Sequence, residues 1–319
     1  MKALRFKDKR TILQNITLPS LPIDEALIKV VLAGICNTDL EIIKGYMGFE
    51  GTLGHEFVGI VAECPSKPEF IGQRVVGEIN AACGNCELCQ QGLGRHCSDR
   101  AVLGILGRDG AFAEYLHLPV TNLHIVPDSI SDQDAVFVEP LAAAFEITEQ
   151  VRLRSEDTVL VIGDGKLAQL IVRVLALYGC RIDVAGISET KIRRMKDIPS
   201  RVYLNNNPPQ LTYSIVIEAS GSPSGWETAV NSVATRGTII LKSTYAGKFN
   251  LNLAPLVINE ITVIGSRCGP FSTALSALED RITISDLIDF EYPLDEWRDA
   301  FTKAREPETL KVVLRIGDA

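Results

Sequence analysis

Between residues 83 and 97 the chain reads Cys83-Gly-Asn-Cys86-Glu-Leu-Cys89-Gln-Gln-Gly-Leu-Gly-Arg-His-Cys97, four thiols in the spacing C-x2-C-x2-C-x7-C. Two-residue gaps let one tight turn aim neighbouring sulfurs at a single ion, and the longer gap brings the chain back to close the cage. Four sulfur ligands fill a tetrahedral zinc and leave no position for water or substrate. Cys83, Cys86, Cys89 and Cys97 are therefore expected to hold a structural ion that shapes a lobe and does no chemistry.

The 319 residues are enough for two domains of ordinary size, and 46% hydrophobic with 23% charged residues is the balance of a globular protein. A net charge of -8 argues against nucleic acid as a partner. No apolar run approaches the roughly 18 residues of a membrane span, so no membrane association is expected. The opening Met1-Lys-Ala-Leu-Arg-Phe-Lys-Asp reads as a first strand and not as a targeting segment. Of the eight cysteines, Cys64, Cys180 and Cys268 sit in apolar or strand-like contexts and read as unpaired. Metal-bound and unpaired thiols suit a reducing compartment, and a cytoplasmic location is expected.

The first 125 residues carry short alternating runs broken by glycine, among them Ala26–Ala33, Val58–Ala62 and Arg74–Ile79, and predict a β-rich region. From about Asp157 the rhythm becomes strand, glycine turn, helix. Thr158-Val-Leu-Val-Ile162 is an apolar strand, and the helical spacing of Leu170, Ile171, Val174, Leu175 and Leu177 follows, with Gly179 as its stop. Further strands are predicted at Arg181–Ala185, Tyr213–Ala219, Gly237–Leu241 and Ile261–Ile264. Such alternation builds a doubly wound parallel sheet. After Pro270, helices at Phe271–Leu278 and Leu294–Ala304 precede a strand at Lys311–Ile316.

Between the first strand and helix of that second region stands Gly163-Asp-Gly165-Lys166-Leu167-Ala168. This G-x-G-x-x-A pattern lets the first glycine turn tightly and the second admit a pyrophosphate. The small third residue packs helix on strand. The next strand normally ends in an acid that binds the adenosine ribose, but here it runs into Gly186-Ile-Ser188, followed by Lys191, Arg193 and Arg194. A neutral end with nearby cations favours the 2'-phosphate, so NADP is expected ahead of NAD.

A second metal set is scattered: Cys36 in Gly34-Ile-Cys-Asn-Thr-Asp-Leu, His55 and Glu56 in Gly54-His-Glu-Phe-Val-Gly, and Glu139 in Val138-Glu-Pro-Leu-Ala. Thiolate, imidazole and carboxylate are ligands of a catalytic zinc that keeps one position open. Singly, each also has an ordinary structural explanation.

Together with Val159-Leu-Val-Ile-Gly-Asp-Gly, Glu218-Ala-Ser-Gly221 and Leu241-Lys-Ser-Thr244, these segments resemble, in order and along the whole chain, the zinc-dependent medium-chain dehydrogenase/reductase superfamily, in its alcohol, sorbitol and threonine dehydrogenase branch. The resemblance implies an α/β fold: a β-rich GroES-like catalytic domain over residues 1–145, completed by 269–319, and a Rossmann domain over 146–268. It implies two zinc ions per chain. Cys36 and His55 would be ligands of the catalytic one, Glu139 would stand at a ligand position, and Glu56 would be a ligand or a carboxylate moving in and out. Asp39 would orient His55, and Thr38 would pass on the substrate proton. Many relatives place a histidine three residues past that hydroxyl, where this chain has Glu41. Gly163, Gly165, Lys166, Leu167, Ala168, Gly186, Ser188, Lys191 and Ser220 would line the NADP (or NAD) site.

The implied reaction moves a hydride between an alcohol or polyol and NAD(P), with the alkoxide stabilised by zinc. A small-molecule alcohol or carbonyl compound is the expected partner, in a homo-dimer or homo-tetramer. Two other readings are a zinc-free quinone or enoyl reductase of the same superfamily and a non-catalytic zinc- or nucleotide-binding protein. The Cys36, His55 and Glu139 set weighs against both.

Overall fold

The computed structural model describes residues 1–317 apart from 19, 196, 206 and 245–249. The chain divides into two compact units: Met1–Glu139 with Phe271–Ala319, and Pro140–Pro270.

The first unit is built on a seven-stranded sheet. Its strands lie in the order Leu123–Ile125, Arg74–Gly77, Glu56–Glu63, Glu25–Gly34, Lys311–Arg315 and Ile288–Pro293, with Tyr115–Pro119 pairing Glu25–Gly34 as well. The ten residues Glu25–Gly34 are buried on both faces except Lys29, which is why they read as a nearly continuous apolar run. Two pairings of this strand place the chemistry. Gly34 lies opposite Glu56 on one side and opposite Val313 on the other, so the C-terminal strand comes alongside the segment of Cys36 and His55. Gly34 must be glycine here, because a Cβ would come within 2.3 Å of Glu56 Oε2. A three-stranded sheet of Arg10–Asn15, Lys2–Lys7 and Gly51–Thr52 and a smaller one of Asn80–Ala81, Ala101–Leu103 and Gly107–Arg108 complete the unit's strands among the described residues.

The second unit holds a six-stranded parallel sheet in the order Arg201–Leu204, Arg181–Gly186, Thr158–Ile162, Tyr213–Glu218, Val233–Leu241, Thr262–Gly265. Strand order reverses beside Thr158–Ile162, the first strand of the unit. Ligands bind beyond the carboxyl ends of strands at such a switch. Leu160 and Ile162 are fully buried and pack with Val216, Trp226, Ala229 and Ile239. Truncating one of these aliphatic side chains to alanine costs about 2–5 kcal/mol.

The helix Lys166–Ala176 buries Ala168, Leu170, Ile171, Val172, Val174 and Leu175, which includes the predicted stripe except Leu177, an exposed residue at the helix end. It also buries Gln169 and Arg173. Gln169 Nε2 donates to the carbonyl of Lys191 at 2.7 Å, and Arg173 donates to that of Arg194 at 3.1 Å. These bonds fasten the segment after Arg181–Gly186 to the helix that opens the glycine loop. Among the described residues no helix is long and apolar enough to cross a membrane.

Candidate metal centres and nucleotide loop

The four sulfurs of the cysteine run converge. Cys97–Cys83 is 3.4 Å, Cys86–Cys89 3.5 Å, Cys86–Cys97 3.7 Å and Cys83–Cys89 3.9 Å. No disulfide joins them. Zinc–sulfur bonds of about 2.3 Å in a tetrahedron put sulfurs about 3.8 Å apart, so the set fits the ion. Backbone N–H groups of Asn85 and Cys86 pull the Cys83 thiol down to about 7, while desolvation and the neighbouring thiols push Cys89 up to about 12. Four thiolates this close repel one another, and a cation removes that conflict.

The second centre gathers Cys36, His55 and Glu56, whose donor atoms lie within 4.8 Å of one another. Asp39, fully buried, organises it. It is the third residue of the helix Asn37–Ile42; one carboxylate oxygen accepts from the Cys36 N–H at 2.8 Å and the other from the Gly54 N–H at 3.1 Å. One side chain thus ties the loop carrying Cys36 to the loop carrying His55. The same Asp39 Oδ1 lies 3.4 Å from His55 Nδ1, a close charge contact that falls short of hydrogen-bond geometry. A carboxylate facing one ring nitrogen leaves the other for a metal. Burial pushes the His55 imidazole down, but Asp39 and Cys36 together hold it well above the usual histidine range. A metal entering here displaces a proton.

Glu56 is buried and ion-paired with Lys311 Nζ, itself buried and 5.2 Å from the centre of the Phe137 ring. Sequence reasoning passed over Lys311. Its signal was a lysine opening an otherwise apolar strand, Lys311-Val-Val-Leu, since a fully buried lysine needs a partner. Thr38 Oγ1 lies 3.7 Å from Cys36 Sγ. Glu41, at the departure from the family pattern, is bonded to Lys44 at 2.7 Å. Glu139 is the second residue of the helix Val138–Gln150, half-buried, and outside the group of converging donors.

In the second unit, Gly163 has φ +120°, and a Cβ there would meet the Ala219 carbonyl oxygen at 2.7 Å. Gly165 begins the helix Lys166–Ala176 with open space where a Cβ would be and no side-chain cap. Unfilled room against an uncapped helix N-terminus is a cradle that suits a pyrophosphate. Lys166 and Leu167 open the first turn, and Ala168 is fully buried where helix meets strand. Ser220 closes onto Glu218, donating from its backbone at 2.8 Å and its hydroxyl at 2.5 Å. Ser188 caps the short helix Glu189–Arg193, accepting from the Lys191 N–H. Gly186, Ser188 and Lys191 all surround one carboxylate that the sequence reading left as an unassigned loop position, Asp164. Its Oδ2 accepts from the N–H groups of Ile187 and Ser188, each at 2.7 Å, and its Oδ1 is 3.0 Å from Lys191 Nζ.

Three converging donors in a seven-stranded β unit, a four-thiol lobe and a dinucleotide-type parallel sheet are the arrangement expected of a zinc-binding dehydrogenase. Residues 22–128 match the alcohol dehydrogenase GroES-like domain. A sorbitol dehydrogenase of Halalkalibacterium halodurans is 28% identical, over 90% of each chain. An alcohol dehydrogenase of Escherichia coli CFT073 solved with NADH superposes with a TM-score of 0.91 at 26% identity, over 99% of each chain. A Sinorhizobium meliloti protein described as a zinc-binding dehydrogenase, solved with NADP, gives 0.89 at 26% identity over 99% of each. Over its whole length the chain is similar to zinc-dependent medium-chain dehydrogenases, and its residues 22–128 carry their GroES-like domain.

Proposed function

We propose that the protein is an NAD(P)-dependent zinc dehydrogenase that moves a hydride between a small alcohol or polyol and the nicotinamide. The observation carrying this reading is the converging Cys36, His55 and Glu56 group, locked by the buried Asp39. When bound there, zinc lowers the pKa of a coordinated hydroxyl, by as much as about 9 units for water, and so favours the substrate anion that gives up hydride.

The chain's own residues do the rest. Cys36 and His55 hold the ion with a carboxylate, Glu56 or Glu139, as third ligand. Glu56 stands beside the first two, its charge balanced by Lys311. Phe137, two residues before Glu139, packs on that same lysine and brings the chain leading to Glu139 towards the centre. Thr38 takes the substrate proton, and Asp39 fixes the His55 tautomer. Glu41, held by Lys44, supports no histidine-like continuation of the relay.

Cys83, Cys86, Cys89 and Cys97 hold a second, structural zinc. The dinucleotide lies on the loop Gly163–Ala168. The cations after Gly186 support NADP, and the placement of Asp164 supports NAD. A cytoplasmic homo-dimer or homo-tetramer is the form in which we place the enzyme, following the reducing-compartment reading of its thiols. Substrates related to sorbitol come first, from the similarity to a sorbitol dehydrogenase.

The test is metal analysis with a panel of alcohols and polyols, each assayed with NAD and NADP. Two zinc ions per chain and alcohol-dependent nucleotide reduction are expected. A fully folded protein with one zinc and no turnover on any alcohol would overturn the assignment in favour of a zinc- or nucleotide-binding role.

A further inference from the structure

The strand Arg181–Gly186 ends without the acid that usually receives the adenosine ribose, yet the space where that acid would act is not empty of charge. A Cβ built on Gly186 would lie 2.8 Å from Asp164 Oδ2 and 3.1 Å from Asp164 Cβ. Asp164 therefore reaches across from the glycine loop and sets its carboxylate in the volume that a carboxylate from position 186 would fill. Gly186 makes the room, since a side chain there would also meet Ile192 at 3.0 Å.

The carboxylate is held firmly. Two backbone N–H groups fix Oδ2, and Lys191 fixes Oδ1. The segment carrying Lys191 is in turn bonded to the buried Gln169. Burial pushes the Asp164 carboxyl up, but the Ser188, Lys191 and Ile187 contacts outweigh this and hold it below the usual range, so it is ionised at neutral pH. A carboxylate has about four acceptor sites and three are taken, which leaves one for a hydroxyl.

Two of the three cations expected to attract a 2'-phosphate are engaged elsewhere. Lys191 is committed to Asp164, and Arg193 is paired with Glu189 four residues earlier. A 2'-phosphate of nearly two negative charges would have to sit against an ionised carboxylate whose counter-charge is already spent.

We infer that Asp164 is the residue that selects the dinucleotide: it accepts from the 2'-hydroxyl of the NAD ribose and excludes the 2'-phosphate of NADP. This reverses the preference expected from the sequence, and it rests on the dinucleotide reading of the loop. It assigns Gly186 a definite role, to admit a side chain from a different loop.

Equilibrium binding of NADH and NADPH to the intact enzyme, followed by nucleotide fluorescence, tests this without turnover. The wild type should bind NADH at least about tenfold more tightly, a difference of about 1.4 kcal/mol. Asp164→Asn, close in shape and uncharged, should weaken NADH several-fold and strengthen NADPH, collapsing the ratio by about tenfold or more. Asp164→Ser serves the same comparison if the asparagine variant fails to fold, and the wild-type ratio stands by itself if neither folds. A wild type that prefers NADPH, or variants that leave the ratio unchanged, would overturn the role of Asp164 and leave the dehydrogenase reading intact. Binding of neither nucleotide by the folded protein would overturn the dinucleotide reading and this inference with it.

Discussion

The two candidate metal centres are made in opposite ways. In the cysteine lobe all four donors fall within fifteen residues, three of them are exposed or half-exposed, and the nearest strands, Asn80–Ala81 and Ala101–Leu103, are two and three residues long. Little besides an ion can order such a segment, because it buries too little apolar surface to offset the conformational entropy it loses. The Cys36 centre takes its donors from two separate segments, with Cys36 half-buried and the other two buried. His55 and Glu56 are 3% and 1% exposed, within a seven-stranded sheet, and Asp39 joins the loops from a fully buried position. There the protein's own packing and hydrogen bonds make the site. On the proposed reading one ion would be a folding element and the other a reagent.

The largest effect that could break this contrast is at the lobe. Replacing Cys89 by alanine should drop bound zinc from two ions to one and unfold the segment around residues 83–97, since structural zinc contributes on the order of 10 kcal/mol in isolated peptides. Limited proteolysis reads this directly. A lobe that stays protease-resistant in the Cys89→Ala protein would show that its own packing orders it.

The mirror experiment is at the buried centre. Cys36→Ser or His55→Ala should lower kcat by about a thousandfold or more, while the melting temperature moves by only about 5 °C. If these proteins instead melt far below the wild type, the centre is a folding element too, and the contrast fails.

Lys311 sharpens the comparison. Breaking a buried ion pair by removing one partner costs about 3–5 kcal/mol, because the other charge is left without compensation. Lys311→Met should cost that much in chelated protein and distinctly less with zinc bound, since the ion replaces the missing positive charge beside Glu56. Denaturant unfolding with and without a chelator measures both. Equal losses in the two conditions would place Glu56 outside the field of the metal.

What could be read from the sequence follows the same division. The lobe was legible because its geometry is encoded in gaps of two, two and seven residues. The strands at Thr158–Ile162 and Tyr213–Glu218 and the helix Lys166–Ala176 were legible because burial on both faces or on one stripe leaves a pattern in consecutive residues. The pattern blurs at ends: the predicted helix Leu294–Ala304 begins as a tight turn, Leu294–Glu296, before the α-helix Trp297–Ala304. Strand Arg201–Leu204 escaped because it is short and partly exposed. The Lys311–Glu56 pair was out of reach, since it depends on the register that sets Val313 opposite Gly34 across the sheet. Asp164 was missed for a related reason: a fingerprint reads its glycines and treats the residue between them as free.

A third buried polar cluster shows what an acid does when the protein supplies its own cations. Glu25, 6% exposed, accepts from Arg108 through both oxygens, at 2.6 and 3.0 Å, and is paired with His117. Burial pushes its carboxyl up, but the His117 and Arg108 hydrogen bonds overcome that and lower it to about 2. The folded value lies below the ordinary 4.5, so this group's stabilisation is complete above pH 4.5 and is lost as pH falls towards 2. A shift of this size corresponds to at most about 3 kcal/mol, less whatever solvent screening removes. Glu25→Gln should therefore cost about 1–3 kcal/mol at pH 7, and the gap to the wild type should close between pH 4.5 and 2. Neither chelation nor added zinc should alter that gap. Denaturant unfolding of the two proteins across pH, with and without chelator, measures it. A gap that instead tracks zinc would mean the cluster is linked to a metal centre, and that the protein's acids cannot be sorted into those balanced by an ion and those balanced by its own side chains.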